Sequence, residues 1–284
     1  MKDLLFNPVL TKELKLRFRS FKSFSGLIFY LGVLVIFVSG FLLVFTQFSG
    51  SGFFTPKDSF MMFTVLSVLQ MALVMFITPG LTAGSISTER EKQTLNILLT
   101  TTQTSTQIII GKLLSSVAFL ILLLVAGLPL YSIVFLFGGV SPGQFIMMFL
   151  FYFVTLIAIG SIGIMFSTLT KRTIVSMIST YGSMIFLGAI SPFLFFVGVS
   201  LEQMSLMGAQ NLTPFSPISY FWLSINPGAL ILTVLYPELL NGIEQAVGIS
   251  FPLWITYLIF YIFITIFCLT IAIRKLRANM KSNR

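Results

Sequence analysis

The sequence predicts an all-α integral membrane protein: six transmembrane helices, an N-terminal interfacial (elbow) helix, a short helix in a cytoplasmic loop, and re-entrant or interfacial helices before the last span. Three observations predict it. Hydrophobic residues make up 56% of the 284 positions and charged residues only 9%, whereas soluble domains carry about 25% charge. Six apolar runs reach the roughly 20 residues needed to cross a bilayer. Of 17 Lys and Arg residues, 16 fall in segments on one side of those runs, which assigns that side to the cytoplasm.

The first 25 residues hold six basic side chains. Asn7 followed by Pro8 is a helix start, a capping side chain ahead of a proline at the first helical position. Leu10, Leu14, Phe18 and Phe21 then recur at helical spacing, with Lys12, Lys15, Arg19 and Lys22 on the other side. Arg17 sits at the edge of the apolar face, where its stem can snorkel. The pattern predicts a basic amphipathic helix in the membrane interface. No small-residue cleavage site accompanies it, so the next apolar run is expected to be an uncleaved first span and not a signal peptide.

The spans are expected at 26–48, 59–81, 113–137, 144–168, 174–200 and 252–273. They form one membrane domain over 1–284, with the interfacial helix in 1–25, a cytoplasmic loop in 82–112 and an extracytoplasmic segment in 201–251. Lys and Arg number six in 1–25, three in 82–112, two in 169–173 and five in 274–284, against Lys57 alone on the other side. Both termini are therefore expected in the cytoplasm of a multi-pass plasma-membrane protein. The 201–251 segment is apolar but interrupted by Pro214, Pro217, Pro227 and Pro237. Asn226–Pro227 reads as another helix start, and the apolar stretch after it is too short to span. Glu202, Glu238 and Glu244 on that side read as solvated surface carboxylates.

The net charge of +9 clusters beside the apolar runs, where it meets anionic lipid headgroups and not nucleic acid. The chain has no histidine, and its one cysteine, Cys268, lies in the last run. Metal and cofactor sites on this chain are not expected. The expected spans contain no ionisable side chain of the kind that ion-coupled carriers keep in the bilayer. No hydrolase constellation is present, and Gly111–Lys112 is not a phosphate loop, because Leu113 follows it and Thr106 replaces the leading glycine. Ser176, Ser179, Thr180 and Ser183 form a hydroxyl stripe in the fifth run, and Thr155, Gly160, Ser161 and Gly163 mark the fourth. Such residues serve close helix packing more often than a pathway. Gln70 is a single amide in the second run.

The longest polar interruption on the cytoplasmic side is 84–112, which holds two of the eight acidic residues. On a helical wheel Leu95, Leu98 and Leu99 share one face, opposite Arg90, Gln93 and Ile97. The run Glu89-Arg90-Glu91-Lys92-Gln93-Thr94-Leu95-Asn96-Ile97-Leu98-Leu99, with Gly111-Lys112 after it, resembles the first cytoplasmic loop of ABC-2-type transporter permeases. That family carries an ERE-x-G-T-L-E-x-L-L-like segment ahead of a GK at the base of the third helix. Gln93 stands where glycine is frequent there, and Asn96 where an acid is frequent. Asn7-Pro8-Val9-Leu10-x-Lys12-Glu13-Leu14 resembles the start of one branch, NosY-like or NatB-like. The resemblance implies a non-catalytic permease subunit of an ATP-binding cassette exporter, paired with a second permease chain, identical or paralogous. ATP and Mg would sit on separate ATPase subunits. It further implies a coupling helix near Thr88–Leu99, with Thr88, Glu89, Arg90, Glu91, Gln93, Thr94, Leu95 and Leu98 as coupling residues. Leu95, Leu98 and Leu99 would anchor it, and Glu89, Arg90 and Gln93 would face the ATPase. A self-contained carrier or channel, and a membrane enzyme or assembly factor, are the competing readings.

Overall fold

A computed structural model describes residues 8–48, 55–95, 103–206, 217–239 and 251–282, and among them every regular element is helical. Helix α1 (Pro8–Phe18) is followed by α2 (Phe21–Phe48), α3 (Pro56–Thr82), the short α4 (Ser87–Glu91), α5 (Ser105–Phe137) and α6 (Pro142–Leu169). Then come α7 (Thr173–Ile185), a π-helical turn (Phe186–Ile190), α8 (Ser191–Leu206), α9 (Pro217–Ser224), α10 (Pro227–Leu235) and α11 (Leu253–Ser282). Among the described residues, six helices are long and apolar enough to cross a membrane. The fifth is α7 and α8 joined through the π turn.

Three spans start with the same local grammar. Thr55, Thr104 and Ser141 each accept a bond from the backbone N–H three residues on, and Asp58, Gln107 and Gln144 reach back to the cap. This reciprocal box satisfies two orphan donors at a helix start. At Thr104 it moves the third span's start to Ser105, well before the expected 113. Lys112 therefore lies two turns inside a helix and not at the edge of a loop.

Half or more of the apolar windows of α3, α5 and α6 is buried, against under a quarter in α2, α7–α8 and α11. The inner helices pack closely because small residues face each other. A Cβ on Gly163 of α6 would lie 2.2 Å from Thr82 Oγ1, and one on Gly160 would lie 3.2 Å from Leu113 Cδ1. Hydroxyls at Thr78, Thr82 and Ser161 bond carbonyls four residues back, so they pack as near-apolar groups; Thr155 does the same and also bonds the Tyr257 hydroxyl of α11. Gln70, the single amide of the second run, donates to the Tyr30 hydroxyl of α2.

At the end opposite α1 and α4, the helix pair α9 and α10 is bent by 94°. Asn226 sits at the bend with two tasks. Its Oδ1 accepts from Ala229 N at 2.7 Å, capping α10. Its Nδ2 donates to Leu187 O, Gly188 O and Ser191 Oγ at 3.0–3.1 Å. A π turn frees carbonyls from the normal ladder, and Asn226 takes two of them. The short apolar helix expected after Asn226–Pro227 is thereby tied to the fifth span.

Candidate functional site

The chain's polar side chains converge at the other end of the bundle, here called the basic end, around the five residues of α4. Its backbone is held first. Ser167 Oγ, at the end of α6, accepts from both Ile86 N (2.8 Å) and Ser87 N (2.9 Å), satisfying donors at the start of α4. Ile86 is fully buried beneath it.

Next come its charges. The Arg90 guanidinium donates to Thr170 O at 2.5 Å and Thr168 O at 3.1 Å, the terminal carbonyls of α6. A cation there meets the negative end of the helix dipole. Glu91 does the converse for α7. Its carboxylate accepts from Thr173 N at 2.7 Å and Thr173 Oγ1 at 2.8 Å. The residue at the N-cap of α7, Arg172, makes no side-chain cap bond of its own, so Glu91 supplies one from another element. Those two bonds hold the Glu91 carboxyl below the ordinary carboxylate range. Thr88 Oγ1 adds a contact to Thr173 Oγ1 at 3.3 Å. Arg90 and Glu91 thus clamp α4 across the turn between the fourth and fifth spans.

Glu89 points the other way, accepting from Lys112 Nζ at 2.7 Å. Lys112, only 4% exposed, also donates to Glu13 of α1 at 2.8 Å. Arg17, one helical turn beyond Glu13, reaches Leu81 O at 3.4 Å, and burial lowers its pKa. Two acids and two bases make a set with no net charge, the condition under which ionised groups survive partial burial. The single helix α4 is therefore bonded to α5, α6 and α7, and through Lys112 it is linked to α1.

The helix ends in a Schellman motif. Thr94 N donates to Glu89 O at 2.9 Å, Gln93 N to Arg90 O at 3.1 Å, and Gln93 takes φ +58°. This left-handed position after the C-cap is where glycine serves most helices. The glycine frequent at this place in similar sequences thus has a backbone reason, which Gln93 meets at a cost in strain.

The expected coupling residues now separate. Glu91, Lys92, Gln93 and Thr94 are exposed, and Leu95 is buried as an anchor. Glu89 and Arg90, expected to face a partner, are instead turned to Lys112 and to the end of α6. The physical reason is that a bare helix C-terminus and a buried lysine both need them more than solvent does. Leu98 and Leu99 lie outside the described residues. In the hydroxyl stripe, Ser176 and Thr180 are buried while Ser179 and Ser183 are half-buried. Thr180 and Ser183 bond backbone carbonyls four residues back, at Ser176 and Ser179. Sequence reasoning passed over Glu13, Lys112 and Ser167 as site residues. The signal for Lys112 was the Thr104–Gln107 box, which starts the helix early enough to bury it.

A search of curated proteins finds no match to the chain. Residues 70–277 match the family model described as ABC-2 family transporter protein. That stretch runs from the middle of the second span through the sixth, and includes the clamped α4 and the bent pair α9–α10. With most of the membrane architecture inside the match, the chain belongs to the ABC-2 transporter family, as a membrane-spanning permease component of an ABC transporter.

Proposed function

We propose that the chain is half of the translocation pathway of an exporter driven by a separate ATPase, with α4 and Gln93–Leu95 receiving the stroke. The observation that carries this reading is the way α4 is bonded. Five residues, exposed at one edge, grip the termini of α6 and α7 and reach α5 and α1 through Lys112. A push on such a segment moves several spans as rigid bodies, the usual route from a local event to a domain rearrangement. The basic end then faces the cytoplasm of a bacterial cell, as its Lys and Arg content favours. ATP and Mg belong to the partner subunits, and a second permease chain completes the pathway.

The exposed residues Lys92, Gln93 and Thr94 are the ones to meet the ATPase, where charge sets register more than affinity. The first test is purification in mild detergent from the native host, with co-purifying chains identified by mass spectrometry. A stoichiometric soluble ATPase is the expected result. Lys92→Glu is then expected to impair ATPase-dependent transport while the chain stays inserted, because the Lys92 side chain is exposed beyond the end of α4. Transport that persists without any ATPase overturns the reading in favour of a self-contained carrier.

A further inference from the structure

We propose that the outer face of α1 binds anionic phospholipid headgroups and that the Glu13–Lys112–Glu89 bridge carries its occupancy to α4. The helix has two distinct faces. Leu10, Glu13, Leu14 and Arg17 point inward and are partly buried, whereas Lys12, Lys15 and Arg19 lie exposed on the opposite side. On a helical wheel those three basic residues span about 60°, so they meet one surface together.

Apolar exposure identifies that surface. Leu16, 61% exposed, and Phe18, 49% exposed, flank the cations on either side, and the exposed apolar surface continues onto the first span through Phe21 at 83% and Phe24 at 58%. An acidic protein would match the cations but would leave this apolar surface in water. A membrane surface takes both at once, with the rings below the headgroups and the cations among them. Each basic side chain near an anionic leaflet raises membrane affinity roughly five-fold, so three supply about 100-fold.

The inward face makes this more than anchoring. Glu13 leaves the same helix in the other direction and meets Lys112 at 2.8 Å, and Lys112 meets Glu89 of α4 at 2.7 Å. Lys112 is the bridge's only bonded link between the two carboxylates, and it is fixed on the long rigid α5. Lipid that holds α1 in place therefore holds Glu13 under Lys112 and, through it, the position of α4. By reciprocity, whatever displaces α4 changes the lipid affinity of α1. The consequence for transport rests on the coupling role proposed for α4; the lipid site and the relay do not.

The test uses the full chain in lipid nanodiscs and reads amide hydrogen exchange, which needs no ATPase. Passing from neutral discs to discs with about 30% anionic phospholipid is expected to slow exchange in residues 8–18 and in 86–95 by about three-fold or more. Inorganic phosphate added to neutral discs is expected to change neither. Lys12→Gln with Lys15→Gln and Arg19→Gln is expected to remove both effects. Lys112→Met is expected to keep the effect in 8–18 and lose it in 86–95; Glu13→Gln, which leaves the Lys112–Glu89 pair intact, does the same if Lys112→Met fails to fold. Equal exchange of the natural chain in both disc types overturns the lipid site. A response in 86–95 that survives both variants overturns the relay. Failure to find an ATPase, by contrast, touches only the function proposed above.

Discussion

Lys112 Nζ stands 2.7 Å from Glu89 Oε1 inside a bundle that is otherwise nearly free of charge. Glu13 completes the arrangement from a third element. Removing the lysine leaves two half-buried carboxylates facing each other without a cation. Lys112→Met is expected to cost about 2 kcal/mol or more, read as a lowered denaturation midpoint in detergent. Adding Glu13→Gln and Glu89→Gln should recover most of that loss, since replacing a whole buried ionic set is often near neutral. A triple variant no better than Lys112→Met alone contradicts the pairing.

Gln93 carries the only positive φ among the described non-glycine residues. Gln93→Gly is expected to stabilise α4 by about 1 kcal/mol, because glycine adopts the left-handed region freely. Gln93→Val should destabilise by at least as much. Exchange rates of the Thr94 amide, which closes the motif on Glu89 O, report both. A faster Thr94 amide in the glycine variant speaks against the strain argument.

Gly163 and Gly182 make a matched pair. A methyl group at Gly163 would run into Thr82, while nothing lies within 4 Å of one at Gly182. Gly163→Ala is therefore expected to cost about 1–3 kcal/mol through separation of α3 and α6. Gly182→Ala should be neutral or gain up to about 1 kcal/mol in helix propensity. Thermal midpoints of the two variants, measured side by side, decide the matter.

Asn226 holds two elements with one amide. Asn226→Ala leaves Ala229 N–H and the carbonyls of Leu187 and Gly188 without this partner, at an expected cost of about 2–4 kcal/mol. Asn226→Asp keeps the cap to Ala229 but loses the donor to the π turn, so it should fall between the two. Proteolysis at the bend between α9 and α10 gives a direct readout. An aspartate variant as weak as the alanine one means the cap contributes little.

The spans were legible in the sequence because a bilayer demands continuous apolar length, and no tertiary detail alters that demand. Pro8 and Asn226–Pro227 were legible for a related reason: proline and a capping side chain act through bonds within a few residues. The orientation of α4 was not legible. A helical wheel treats Glu89 and Arg90 as surface because it holds only one helix, while their partners lie 23 and 78–80 residues away. Lys112 was missed for a different reason. The span was started at the first unbroken apolar run, although the capping box at Thr104 starts the helix itself two turns earlier. The π turn left no pattern at all, since the side chain that takes up its carbonyls, Asn226, lies 38–39 residues downstream.

The order of the three ionic residues along the chain bears on biogenesis. Glu13 and Glu89 both precede Lys112, so a ribosome has already made both counter-ions when the lysine emerges. A buried cation left without a counter-ion is costly; this one emerges after both of its partners. The same residues in reverse order would present the lysine alone. The bridge is thus suited to vectorial synthesis as well as to the finished fold, and an N-terminal truncation that removes Glu13 should loosen the packing of α4 against the third span before it affects anything downstream.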